Sequence, residues 1–283
     1  MATPAGSGNY SVLRRWLRLS LAKQWSRDTV LSIALPSITL VLLLVLWDRA
    51  VVHFEISSTL LARPKEVLDE FLYGLRGGTL VTHTLATMQE VVYGFAVGAL
   101  AGFALGAIVA ESALARMAFY PFLIAFQMIP KVAIAPLFII WLGYGISSKV
   151  AFTASITFFP VVINTIAGLR SVDGEVLEMM KVFRATRWQS FSRVKLKFAM
   201  PYIFASLEVA MVLSVIGAIV AEFVGSTKGL GYLILQEMHK LETARVFAVL
   251  IVLSIVGIVL SYMIHLVARH ALFWHESERG ERS

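Results

Sequence analysis

A chain of 283 residues in which 58% of side chains are hydrophobic and only 15% are charged lacks the polar sequence to surface soluble domains of that length. Its mean hydropathy of +0.77 and its recurring apolar runs of about 20 residues make it an all-α, polytopic membrane protein. The formal charge of +7 does not call for nucleic acid, because basic residues gather at the cytoplasmic ends of membrane spans, and the lack of cysteine excludes disulfides, thiolate metal sites and iron–sulfur clusters.

Six spans are predicted, at roughly 29–48, 84–110, 117–142, 148–168, 202–224 and 246–268. The first follows a basic segment, 1–28, without a clear cleavage site, and is read as a retained span rather than a signal peptide. The transmembrane domain then runs over 29–270, with a charged loop at 171–201 and a tail at 271–283.

The loop at 52–83 holds an amphipathic run from Val67 to Leu75. The second span carries Gly94, Gly98, Gly102 and Gly106, a groove of small residues along one helix face. Such faces let helices approach closely in lipid, either within the bundle or between subunits. The third span holds Gln127, Pro130, Lys131 and Pro136. Proline removes a backbone donor and bends a helix, and broken helices at membrane depth line cavities or lie buried in protein. Lysine at mid-bilayer costs roughly 2.5–3.5 kcal/mol on insertion scales. Lys131 is therefore expected either on a solute pathway or in a bridge with Glu90 or Glu222.

The fifth span repeats the small-residue device with Ala210, Ser214, Ala218 and Ala221, and ends at Glu222. Residues 225–245 hold Gly229, Gly231 and an apolar run from Leu233 to Met238. This loop and 52–83 are expected either to form a rim for a soluble partner or to cap the bundle as interfacial helices.

Between the fourth and fifth spans lies a charged island, Ser171 to Pro201. It runs from Asp173, Glu175 and Glu178 to Lys181, Arg184, Arg187, Arg193, Lys195 and Lys197. Val176, Met180 and Phe183 fall on one helical face, and Trp188, Phe191, Val194 and Phe198 on another, which predicts two short amphipathic helices. With both termini inside, sixteen Lys and Arg fall in cytoplasmic segments against seven in outer ones, and the island is cytoplasmic. It is read as a handle shown to a soluble partner, or as an amphipathic loop on anionic lipid with Trp188 as its interfacial anchor.

Catalytic signals are missing. The sequence holds no phosphate-binding G-x-x-x-x-G-K-[ST] loop, no G-x-S-x-G and no H-E-x-x-H, and its six histidines show no ligand spacing. Charged residues within the spans are too few for a proton relay, and no inverted repeat marks a secondary transporter. If the chain moves a solute against a gradient, another subunit supplies the energy. A membrane scaffold without a conduit is the reading of another class.

The island's Glu178-Met179-Met180-Lys181-Val182-Phe183-Arg184, followed by Val194-Lys195-Leu196 and Pro201, resembles the cytoplasmic loop motif of binding-protein-dependent ABC importer permeases. That motif reads Glu-Ala-Ala, three residues, Gly, nine residues, Ile, one residue, Leu-Pro. Gln127 to Leu137, Trp141-Leu142-Gly143-Tyr144-Gly145 and Ala218 to Gly225 are similar to the branch serving nitrate, sulfonates, taurine and thiamine-precursor pyrimidines. The departures are Met179 and Met180 for the paired alanines, Arg184 for the glycine and Lys197 for the proline. The resemblance implies a type I importer permease fold in the bacterial inner membrane, with both termini cytoplasmic. It implies a homodimer served by two ABC ATPases and an extracytoplasmic binding protein, with ATP and Mg in the ATPase and no cofactor bound by this chain. It assigns ATPase coupling to Glu175, Glu178, Met179, Met180, Phe183, Arg184, Ala185, Thr186 and Trp188. Gln127, Pro130, Lys131 and Glu222 are read as the expected route. The resemblance makes a heteroaromatic thiamine-precursor-like compound the expected solute, with nitrate, a sulfonate, taurine or an aromatic carboxylate as the alternative.

Overall fold

The computed structural model describes residue 32 and residues 34–273, so the basic segment at 1–28 and residues 274–283 of the tail lie outside the described residues. The chain falls into two compact units, one ending at Glu66 and one beginning at Val67. The first contains helix α1, Ala34–His53, whose side chains are almost all exposed and apolar, as lipid-facing residues are. After α1, Arg63 turns back on Asp48 with 2.9 Å between charges and precedes Pro64, which opens α2, Pro64–Arg76.

The second unit is a bundle of helices. In chain order they are α3 (Thr79–Glu111), α4 (Ala113–Gln127), α5 (Lys131–Leu142), α6 (Ile146–Leu169), α7 (Gly174–Val182), α8 (Arg187–Ser190), α9 (Leu196–Gly225), α10 (Leu230–His239) and α11 (Thr243–Ala271). Among the described residues, five helices are long and apolar enough to cross a membrane, and six if α4 and α5 count as one span bent by 103°.

The centre of the bundle is α3 on α6 on α9. Gly94, Gly98, Gly102 and Gly106 all face α6, and a Cβ on Gly98 would stand 2.6 Å from the carbonyl oxygen of Ala154. Close backbone approach replaces the hydrophobic drive that lipid does not supply. On the other side of α6, Gly217 of α9 sits against Thr153 and Ile156, and Ala210, Ser214, Ala218 and Ala221 are buried. Val91, Met211, Val215, Leu230, Leu233, Val249 and Val256 join α3, α9, α10 and α11 in one core. Helix α10 thus packs into the bundle: Leu230, Gly231, Leu233, Ile234 and Glu237 are buried.

Pro121, Pro136, Pro160 and Pro201 lie inside helices that continue through them. The break comes at 128–130, where Met128 and Ile129 close a tight turn onto Ala125 and Phe126. Pro130 then starts α5. The Lys131 ammonium reaches back across the break to the Gln127 carbonyl at 3.3 Å, satisfying an orphan acceptor at the end of α4.

Candidate functional site

The charged island becomes a stiff corner. Asp173 caps α7, its carboxylate accepting from the Glu175 amide at 3.2 Å, and Glu175 and Lys181 lie at the ends that suit the helix dipole. At the other end, the Arg184 amide donates to Lys181 O and the Ala185 amide to Met180 O, both at 2.9 Å. These two bonds form a Schellman cap, with Arg184 at φ 52° in the left-handed position where glycine is usual. Thr186 then opens α8 with a reciprocal capping box. Its hydroxyl accepts from the Gln189 amide at 3.2 Å, and Gln189 Oε1 accepts from the Thr186 amide at 2.8 Å. Two caps back to back leave the connecting residues little freedom.

The expectation of two separate short helices needs correcting. α7 is one, but α8 passes through a π turn at Phe191–Lys195 into α9, a continuous helix from Arg187 to Gly225. The island's second arm is therefore a rigid extension of a membrane span. Its root is anchored. Gly168 at the end of α6 lies against Ala199 and Tyr202 of α9, and Lys195 pairs with Glu111 of α3 at 2.7 Å. Val172 is buried between α6 and α7, while α7 itself buries nothing. Glu175, Glu178, Met179, Val182 and Phe183 are exposed, Phe183 at 75%. Met180 and Ala185 are half-buried, and Arg184, Thr186 and Trp188 are exposed.

At the opposite end of the bundle lies a buried polar network. Glu222 of α9 is 1% exposed. Its Oε1 accepts from Thr87 Oγ1 at 2.6 Å, and its Oε2 accepts from the backbone amides of Gly231 and Tyr232. The Thr87 hydroxyl also accepts from the Leu230 amide at 2.8 Å, and the Gly229 amide donates to His83 Nδ1 at 3.0 Å. Residues from α3 and α9 thus cap α10 in place of a side chain of its own. Gly229 has φ 118°, and a Cβ there would overlap the Glu222 carboxyl, so only glycine fits. Beside this, Lys149 of α6 pairs with Glu90 of α3 at 3.4 Å, with both side chains buried.

Lys131 does not bridge to Glu90 or Glu222. Its ammonium binds Gln127 O and lies 4.8 Å from the centroid of the Phe159 ring. The cation buried against Glu90 is Lys149, at the edge of the predicted span 148–168. Glu222 is enclosed, whereas Gln127 and Pro130 are exposed and Lys131 half-buried. Thr87 and His83 carried no signal in the sequence, since their partners are 135 and 146 residues away. Among the described residues, no group of three or more His, Cys, Asp or Glu is placed to hold a metal.

The fold and the corner define a class: a multi-pass membrane subunit with a stiff, apolar-faced helix at one end of its bundle. A family model described as binding-protein-dependent transport system inner membrane component matches residues 94–272, and the chain belongs to that family. It is 36% identical to the riboflavin transport system permease protein RibX of Chloroflexus aurantiacus, covering 87% of this chain and 91% of that protein. It is 34% identical to the formylaminopyrimidine transport permease protein ThiX of Halalkalibacterium halodurans, covering 79% and 88%. It is 32% identical to the putative aliphatic sulfonates transport permease protein SsuC of Bacillus subtilis, covering 80% and 82%. A solved structure of the MetNI methionine ABC transporter in inward-facing conformations superposes with a TM-score of 0.58 at 17% identity, over 66% of this chain and 93% of that one, which shows the type I importer permease fold. The chain is an inner-membrane permease subunit of an ABC importer, and ATPase activity lies in a partner chain.

Proposed function

We propose that two copies of this chain form the conduit of an importer, that two ABC ATPases holding ATP and Mg grip the α7 corners from the cytosol, and that an extracytoplasmic binding protein delivers solute at the α10 end. Both termini are then cytoplasmic. The observation that carries this reading is the exposed face of α7. Among the described residues nothing covers Glu175, Glu178, Met179, Val182 and Phe183, yet the corner that holds them is capped on both sides and continuous with α9. A rigid arm with a bare apolar tip suits transmission of a push to a spanning helix. Met179 and Met180 suit an irregular socket, where the motif's alanines would leave space.

Gln127, Pro130 and Lys131 at the bend are assigned to the solute route, and Glu222 to the frame behind it. The solute is assigned to small heteroaromatic compounds. Support comes from two relatives named for riboflavin and formylaminopyrimidine transport, while the sulfonate-named relative keeps anions as the competing class.

The test is co-purification with a cognate ABC ATPase. Glu178→Arg is expected to abolish solute-stimulated ATP hydrolysis in proteoliposomes while the permease keeps its yield and melting temperature. An intact, fully active complex carrying that substitution overturns the coupling assignment. The ligand retained by the cognate binding protein on purification decides the solute class, and an aliphatic sulfonate there overturns the heteroaromatic one.

A further inference from the structure

The second arm of the corner, α8 and the π turn, carries a cleft of its own. Between the last turns of α3 and the run α8–π turn lies a cleft of about 630 Å³, lined by Ile108, Glu111, Arg187, Trp188, Phe191 and Lys195. Its position straddles the end of a membrane span. One wall is Ile108, 56% exposed on a spanning helix and so facing acyl chains. The next residue down that wall is Glu111, which holds Lys195 at 2.7 Å. Opposite stands Trp188, 71% exposed and stacked on Phe191 with 5.7 Å between ring centroids. Tryptophan with one face apolar and one edge wet is the residue of the headgroup layer. Arg187 opens the cleft, exposed and without an ion-pair partner among the described residues.

We propose that this cleft is a binding site for the headgroup of an anionic phospholipid. The phosphodiester meets Arg187 and the free side of Lys195, and an acyl chain runs down over Ile108. Charge complementarity selects the occupant. Lys195 is already balanced by Glu111, so Arg187 is the unmet charge, and a guanidinium takes a phosphate in a two-pronged fashion. A zwitterionic lipid offers the same phosphate but brings its own cation to the same place. Because α8 continues without a hinge into α9 and meets α7 through the capped turn, a lipid seated here wedges the corner from the membrane side while α7 remains free for its ATPase.

Fluorescence of Trp188 tests the assignment in the full chain placed in nanodiscs. Brominated phosphatidylglycerol and brominated phosphatidylcholine are compared as quenchers at equal mole fraction, and Trp188→Phe isolates the signal of this residue from the other five tryptophans. The expected result is that phosphatidylglycerol is preferred about fivefold, the bias one cation confers near a negative surface. Arg187→Gln is expected to bring that ratio close to one without altering the melting temperature. Excess inorganic phosphate should leave the quenching unchanged. Equal quenching by both lipids, a preference that survives Arg187→Gln, or competition by free phosphate overturns the proposal.

Discussion

The two ends of the bundle are held together by opposite means. At the α7 end, order comes from bonds between near neighbours in sequence: Asp173 to Glu175, Arg184 and Ala185 to the last turn of α7, Thr186 to Gln189. At the α10 end, it comes from groups more than a hundred residues apart: Thr87 with Glu222 and Leu230, and His83 with Gly229. The first arrangement keeps its shape while its surface stays bare. The second has no solvent to fall back on, so each bond it loses strands a buried polar group.

That contrast is broken hardest at Lys149. Lys149→Met leaves the buried Glu90 carboxyl without its ion-pair partner. A loss of about 3–5 kcal/mol is expected, seen as a large fall in yield and detergent melting temperature. An unchanged melting temperature would show that the ion pair does not hold this end. Gly98→Ala comes next, because the added carbon meets the carbonyl oxygen of Ala154, a backbone atom that cannot step aside. It should cost about 1–3 kcal/mol by the same measurement and loosen α3 from α6. At the exposed end, Phe183→Ala should leave the melting temperature where it was and weaken ATPase docking by about 1–2 kcal/mol, read from co-purification titrations. The smallest effect is a gain. Arg184→Gly should relieve the left-handed backbone and raise stability of the corner by about 1 kcal/mol, visible as slower amide exchange at Arg184 and Ala185.

The spans were legible because apolar runs of sufficient length have few alternatives, and the all-α class followed from them. The glycine spacing in α3 was legible as a close-packing face, but its partner, α6, was not, since spacing carries no address. The bend at 128–130 could not be separated from the prolines that helices tolerate: Pro136 and Pro160 lie within continuous helices. What distinguishes Pro130 is the turn closed just before it and the lysine that caps the end of α4. Lys149 falls at the very edge of the predicted span 148–168, and nothing in the sequence points from it to a partner. Its pairing with Glu90 is a property of the fold. Arg184 was legible as a departure from the loop motif, and the structure supplies the reason that position favours glycine.

The π turn between α8 and α9 carries one residue more than an α-helix of the same length. A surplus residue rotates everything before it by about 100° around the helix axis. The compass bearing of α7 is therefore written in a single extra amino acid, as one tooth sets the phase of a gear train. Removing a residue from 191–195 would leave each helix whole and aim the same surface at a different quarter of the cytosol.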